Sequence, residues 1–294
     1  MSLSIRQIHP IFVGEVEGID LREPLSLEDI AAIEDGMNRY AVLIFRDQPV
    51  TDEQQIMFTH NFGRIERAVG NNITKVENRR LSDEMADVSN LEHHDRIFAQ
   101  DDRRRLFELA NRLWHSDSSF RVVPAKFSLL SAHAVPAKGG NTEFADMRAA
   151  YDALDETTCD EIADLVCEHS LMYSRGLLGF SDFTPEEKAM FAPVRQRLVR
   201  THPGTGRKSL YLSAHAGAIV GWPMPEARAY LHDLTEHATQ PAFVHVHKWR
   251  VHDFVIWDNR QTMHRVRRFA DTKEIRDMRR TTVAGNAPTV AQVT

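Results

Sequence analysis

Apolar residues recur at helical spacing over residues 26–40, where Leu27, Ile30, Ile33 and Met37 follow Ser26, a residue suited to capping a helix. The next five residues, AVLIF (41–45), form a short continuous apolar run, which predicts a buried strand. Thr51 to Gln54 matches a capping box, so a second helix is expected to run to about Asn61. KFSLLSAHAV (126–135), TEFAD (142–146), FVHVHKW (243–249), DFVIWDN (253–259) and MRRTTVA (278–284) read as strands, with a turn at Gly139-Gly140-Asn141. Residues 147–168 are predicted to be helical, with Ala150, Leu154, Ile162, Leu165 and Val166 in the core. LVRTH (198–202) and SLYLSA (209–214) flank PGTGRK as a hairpin, and residues 224–238 form an amphipathic helix.

Helices at the start, short strands with glycine turns afterwards and helical insertions between them fit a mainly β fold decorated by helices. A β-sandwich or jelly roll accounts for this order better than a doubly wound sheet. No Ser/Gly/Pro-rich linker and no repeat divides the chain, so residues 1–294 are expected to form a single domain. Residues 66–105 are polar and poorly periodic; so long a stretch is expected to be a substrate lid or to be disordered.

Composition narrows the class. Hydrophobic residues at 42% and charged residues at 27% are ordinary for a soluble globular protein, and a net charge of −6 argues against nucleic acid as a partner. The charge is uneven: His264 to Arg280 holds seven Lys/Arg and three Asp/Glu, a basic island in an acidic chain. Such an island suits a small anion, although a solvated arginine-rich strand would look the same. Cys159 and Cys167, both in the helical pattern, fit neither a disulfide framework nor a zinc knuckle and are expected to be buried small residues. The N-terminus lacks the pattern of a signal peptide and no apolar run is long enough to span a membrane, so a cytoplasmic protein with no membrane partner is expected. A homo-oligomer is expected as well.

The chemistry lies in His115-Ser116-Asp117. On an extended segment, side chains at i and i+2 point the same way, which is how a strand end delivers two ligands to one metal. A lone H-x-D is also common as a capped histidine in a loop. Trp114 and Phe120 with Ser116, Ser118 and Ser119 add the shaped, dry wall that a metal pocket needs. His264, after an apolar strand and the turn Asp258-Asn259-Arg260, supplies a third ligand. Two imidazoles and one carboxylate form a facial triad that holds non-haem Fe(II) and leaves positions open for O₂ and substrates. Read as a strand, Arg276, Met278 and Arg280 share one face, so two cations reach one cavity while Arg279 faces away. His245 and His247 lack a third ligand at zinc spacing, and His93-His94-Asp95 reads as solvated. GTGRKS (204–209) lacks the spacing of a phosphate loop, and neither a nucleophile elbow nor a dinucleotide fingerprint is present. A keto-acid-consuming oxygenase is the leading reading; a non-catalytic metal- or anion-binding jelly roll is the rival.

LWHSDSSF (113–120), GGNTEFADMRAAYDAL (139–154), LVRTHPGTGRK (198–208) and WDNRQTMHR (257–265) resemble the taurine dioxygenase family of Fe(II)/2-oxoglutarate oxygenases over nearly the whole chain. The resemblance implies a double-stranded β-helix and iron ligands at His115, Asp117 and His264. It implies Thr142 and Arg276 on the distal carboxylate of 2-oxoglutarate, and Arg280 near its C1 carboxylate and the substrate's anion. Lys75 aligns with a substrate-loop lysine, and Arg96 stands where a second is expected. The implied reaction uses O₂ and 2-oxoglutarate to hydroxylate the carbon alpha to the carboxylate of a phenoxyalkanoate, a small anionic aromatic substrate such as 2,4-dichlorophenoxyacetate, giving a phenol and glyoxylate with succinate and CO₂. The same chemistry on a sulfonate, an alkyl sulfate or another aryl carboxylate is the alternative.

Overall fold

The computed structural model describes residues 3–68, 73–74 and 78–291. Its strands in chain order are β1 (Ser4–Gln7), β2 (Gly14–Glu17), β3 (Val42–Phe45), β4 (Ala86–Asp87), β5 (Phe127–Ala134), β6 (Thr142–Asp146), β7 (Val166–His169), β8 (Val194–Arg197), β9 (Val199–Thr201), β10 (Lys208–Leu210), β11 (Ala216–Ile219), β12 (Val244–His247), β13 (Phe254–Asp258), β14 (Thr262–Val266) and β15 (Asp277–Thr282). The helices are α1 (Leu27–Tyr40), α2 (Asp52–His60), α3 (Arg103–Glu108), α4 (Met147–Asp152), α5 (Glu156–Ile162), α6 (Leu171–Gly176), α7 (Pro185–Met190) and α8 (Met224–Ala238).

Local chemistry explains where the first helices begin. The Ser26 hydroxyl accepts from Asp29 N–H at 3.0 Å and opens α1. At α2 the Thr51 hydroxyl and the Gln54 side chain satisfy each other's backbone N–H, the expected capping box.

Strand alternation builds the core. The large sheet runs β1-β2-β3-β13-β5-β15-β4. On one face Leu43, Phe45, Leu129, Phe254 and Ile256 pack against Ile33 and Met37 of α1 and Phe58 of α2. On the other face Ile44, Leu130, Val255, Trp257 and Met278 pack with Phe144 from the sheet β12-β6-β14. Central strands buried on both faces are why they read as unbroken apolar runs. These two facing sheets are the double-stranded β-helix. The outer face of the smaller sheet, through Ala145 and Met263, meets a third cluster with α4, α8 and the sheet β11-β7-β8.

Two expectations change. The helical stretch 147–168 breaks into α4 and α5, and Val166 to His169 is strand β7, paired with β8 and β11. Cys167 is therefore a strand residue whose buried thiol is pushed up to about 12, while Cys159 on α5 is only half-buried. The described part of 66–105, expected to be a substrate lid or disordered, is tied to the core at several points. β4 pairs with β15, and Arg80 forms ion pairs with Asp87 at 3.0 Å and with Asp277 at 3.1 Å. The predicted hairpin forms from β9 and β10.

Candidate active site

His115 and His264 come together through the backbone. Each donates its N–H to the other's carbonyl, at 3.0 and 2.8 Å, an isolated antiparallel pair that sets both imidazoles side by side. Two residues on, Asp117 ends the segment. Ser118 then turns the chain in the left-handed region at φ 55°. The Asp117 carboxylate lies 3.8 Å from Nε2 of His115 and 3.7 Å from Nε2 of His264. One ligand atom from each residue falls within 4.8 Å of the others, and all three residues are buried; they are the one such cluster among the described residues.

Hydrogen bonds fix two of the three groups. His115 Nδ1 lies 2.8 Å from the Leu113 carbonyl; donating to it, Nδ1 keeps the proton and leaves the Nε2 lone pair facing Asp117. Ser128 donates to Asp117 Oδ2 at 2.7 Å, Asn259 Nδ2 donates to Ser128 Oγ at 2.9 Å, and Trp257 Nε1 donates to Asn259 Oδ1 at 3.0 Å. Asp117 N–H donates to that same Asn259 oxygen at 3.2 Å. His264 is held by rings instead, with Trp257 at 4.7 Å and Phe144 at 6.1 Å, and its Nδ1 has no hydrogen-bond partner.

Electrostatics leave the cluster ready for a cation. Burial pushes the Asp117 carboxyl up, but Arg280, His264, His115 and Ser128 together outweigh it and hold it at about 2. Burial pulls His115 below the ordinary histidine value, and burial with the neighbouring His115 pulls His264 well below it. At neutral pH the set is two neutral imidazoles and one carboxylate, the protonation state that a divalent first-row metal requires. The residues present therefore fit Fe(II).

A cavity of about 800 Å³ including its open mouth is lined by His115, His264, Thr142, Arg276 and Arg280. Arg276 is 5% exposed, yet no carboxylate among the described residues pairs with it. Its Nε donates to the Gly140 carbonyl at 3.4 Å and its Nη1 to the Val88 carbonyl at 3.3 Å, while its own N–H is held by Asn90 at 2.8 Å. Burial pulls the guanidinium down to about 10. Gly140, at φ +67°, passes so close that a Cβ there would meet Pro136 at 2.8 Å and Arg276 at 3.5 Å. Thr142 Oγ1 accepts from Trp249 Nε1 at 2.9 Å, which leaves its proton free to donate.

Arg280 donates to Asp117 Oδ1 at 2.5 Å, so in the described structure it serves the triad's carboxylate. Arg279 points away, paired with Asp52 at 2.8 Å and Asp277 at 3.3 Å. Arg96 sits 71% exposed in a pair with Glu92 and does not line this cavity. Lys75 lies outside the described residues. Ser128, Asn259 and Asn90 escaped sequence reading. The available signal was a serine inside the apolar strand FSLLS, since a buried hydroxyl requires a partner. Of the histidines outside the triad, His247 is buried 3.1 Å from Asp253, and His202, at the hairpin, lies 3.1 Å from Asp258.

Residues 4–282 match the model of the family described as taurine catabolism dioxygenase TauD, TfdA family. The alpha-ketoglutarate-dependent 2,4-dichlorophenoxyacetate dioxygenase of Cupriavidus pinatubonensis is 44% identical over 287 residues, covering 98% of this chain and 99% of that one. The (S)-phenoxypropionate/alpha-ketoglutarate-dioxygenase of Delftia acidovorans is 38% identical over 240 residues, 80% of each chain. The crystal structure of AAD-2 in complex with Mn(II) and N-oxalylglycine superposes with a TM-score of 0.95 at 61% identity, covering 98% of this chain and 100% of that one. The chain belongs to the TauD/TfdA family and is a dioxygenase dependent on Fe(II) and 2-oxoglutarate. What remains to be assigned is which residues do the work and on which substrate.

Proposed function

We propose that this single-domain enzyme hydroxylates the carbon between the ether oxygen and the carboxylate of an aryloxyalkanoate such as 2,4-dichlorophenoxyacetate. His115, Asp117 and His264 hold the metal; Thr142 and Arg276 hold the distal carboxylate of 2-oxoglutarate; Arg280, beside Asp117, lies near its C1 carboxylate and the substrate's anion. The observation that carries the cosubstrate site is the buried, uncompensated Arg276 in the cavity of the triad. A planar guanidinium fixed there presents a bidentate site to a carboxylate, and the Thr142 hydroxyl donates a further bond. Similarity to dioxygenases named for 2,4-dichlorophenoxyacetate and phenoxypropionate supports the substrate class.

When bound, Fe(II) supplies the redox chemistry that couples oxidative decarboxylation of 2-oxoglutarate to hydroxylation of a C–H bond. The chain supplies position and charge. Ser128 and Asn259 hold the Asp117 carboxylate in place, and the Leu113 carbonyl fixes the His115 tautomer. The hydroxylated carbon of the substrate is a hemiacetal, which collapses to a phenol and glyoxylate; O₂ is the oxidant, one of its atoms entering the new hydroxyl and the other succinate, and CO₂ completes the balance. A cytoplasmic, self-associating enzyme is part of this proposal, and the two free cysteines support a reducing compartment. Among the described residues no helix is long and apolar enough to cross a membrane.

A screen of aryloxyalkanoates, taurine and alkyl sulfates, each with 2-oxoglutarate and Fe(II), tests the substrate. Phenol and glyoxylate should appear with succinate from the aryloxy acids. Succinate release coupled only to the sulfur compounds would overturn the substrate and leave the family chemistry standing.

A further inference from the structure

A second chamber borders the triad. His115 and Arg280 line both it and the first cavity, and Asp117 lines it alone. Its remaining wall includes Phe107, Phe120 and Leu171, a dry apolar surface, together with Arg175 from α6. Arg175 is 5% exposed. No carboxylate among the described residues lies at ion-pair distance from it, and its Nε has no hydrogen-bond partner. Glu108, which also lines the chamber, is the carboxylate whose charge acts on Arg175, from beyond ion-pair distance, and it is hydrogen-bonded to Asn111 at 2.6 Å. The chamber's other carboxylates outside the triad, Glu66 and Asp87, are paired with Arg121 and Arg80, each at 3.0 Å.

What holds Arg175 is aimed at keeping it in place, not at neutralising it. Its guanidinium lies 4.1 Å from the centre of the Phe107 ring, and its Nη1 donates to Ser174 Oγ at 3.0 Å. Ser174 gives its own proton to the Leu171 carbonyl at 3.0 Å, so His215 Nδ1, 2.9 Å away, donates to it as well. The other cations around the two cavities are matched. Arg105 and Arg112 share Asp271 at 2.9 and 3.2 Å, and Arg280 serves Asp117. Arg276 is taken by the keto acid in the proposed reading.

A buried guanidinium with no carboxylate in direct contact and an unpartnered Nε is costly to the fold. Its retention beside an apolar wall that touches the triad is explained by an anion that arrives with a ligand. We infer that Arg175 is the anion subsite of the second chamber and holds the carboxylate of the aryloxyalkanoate, on the other side of the triad from Arg276. This rests on the aryloxyalkanoate reading. It adds a specificity residue on α6 to the cations expected from the 66–105 segment and from Arg280, and it separates the two anions that must share one metal.

The test is calorimetric titration of 2,4-dichlorophenoxyacetate into protein loaded with Mn(II) and N-oxalylglycine, for wild type, Arg175→Leu and Arg175→Lys. N-oxalylglycine affinity and melting temperature are measured alongside. Removing one partner of a buried charge pair weakens binding by roughly 30-fold or more. Arg175→Leu should do so for the aryloxy acid, leave N-oxalylglycine affinity unchanged, and abolish the preference for the acid over its neutral amide. The variant should stay folded, because no direct ion pair is broken, and the loss should be confined to the aryloxy acid. Arg175→Lys should lose part of the affinity, and it carries the test if the leucine variant does not fold. Wild-type affinity for the aryloxy acid in either variant overturns the inference. So does a parallel loss of both ligands with a lowered melting temperature, which marks a structural role. A wild-type protein that binds no aryloxyalkanoate overturns the substrate reading and the inference with it, whereas wild-type binding that survives in Arg175→Leu overturns the inference alone.

Discussion

The two sides of the triad are built differently. On the Arg276 side the wall that carries the triad and the cosubstrate residues is sheet: Thr142 opens β6, Trp257 and His264 lie on β13 and β14, and Arg276 precedes β15, faced by Asn90 and by residues between 105 and 112. Strand register sets each of those positions, as in the pairing of His264 with Phe144 and of Trp257 with Ser128. On the Arg175 side the wall comes from short helices, α3 and α6, and from the segment after β4. There the polar groups are held one by one, as Arg175 is by donating to Ser174 Oγ at 3.0 Å and Glu66 by its ion pair with Arg121 at 3.0 Å. A sheet wall cannot change one position without disturbing its neighbours. A helix-and-loop wall can, which agrees with the proposal that the cosubstrate binds on the first side and that substrates are discriminated on the second.

Breaking the junction between the two sides should have the largest effect. His115→Ala, Asp117→Ala and His264→Ala should each abolish keto-acid-dependent succinate release at limiting Fe(II) with circular dichroism unchanged; full activity in any one would remove that residue from the metal site. Next comes the sheet side alone. Arg276→Ala should weaken 2-oxoglutarate binding by roughly 30-fold or more, with Lys rescuing only in part, while Arg279→Ala leaves it unchanged because that side chain is spent on Asp52 and Asp277. Equal effects of the two would show that the sheet does not select between neighbouring arginines. Loosening the support behind Asp117 should do less: Ser128→Ala or Asn259→Ala should lower metal affinity about 10–100-fold, read by metal titration.

The helix side carries a pH signature. Burial lowers His169, on β7 beneath α6, to about 3. The unfolded chain takes up that proton below about 6.5 and the folded chain does not, so stability is full above that value and declines as pH falls towards the folded value. The decline per such histidine is about 1.4 kcal/mol per pH unit, and His169→Gln should flatten the melting-temperature profile between pH 6.5 and 5. The smallest effect is expected at Arg96, whose exposed pair with Glu92 lies away from both cavities. Arg96→Ala should leave substrate KM within about twofold, since an exposed pair contributes about 0–1 kcal/mol; a larger rise would bring Arg96 itself to the substrate.

What sequence could reveal divides along the same line. Ser26 and Thr51 announced α1 and α2 because a cap is a contract between residues three apart. His115, Asp117, His264 and Arg276 were legible by residue type and spacing along strands. The reading failed at 165–168, where the helical period of Ile162 and Leu165 runs into a strand that exists only through pairing with β8 and β11. It was equally blind to Ser128, Asn259 and Asn90, whose partners lie 11 to 186 residues away. Arg96 shows the limit of alignment: a cation at the expected position was already paired on the surface. Cysteine spacing said nothing about β7 and placed Cys167 in the wrong element.

The unmatched charge on Arg276 has a consequence for how long a molecule of this enzyme survives. A ligand that binds only the folded state stabilises it by RT ln(1 + [L]/Kd), about 2.7 kcal/mol at a hundredfold excess over Kd. If Arg276 holds the keto acid as proposed, part of that gain comes from neutralising a buried charge already built into the fold. The keto acid is therefore a chaperone as well as a reagent: chains with none to bind are the ones that open most often and are exposed first to proteolysis. Abundance would then follow the supply of the compound that the enzyme consumes.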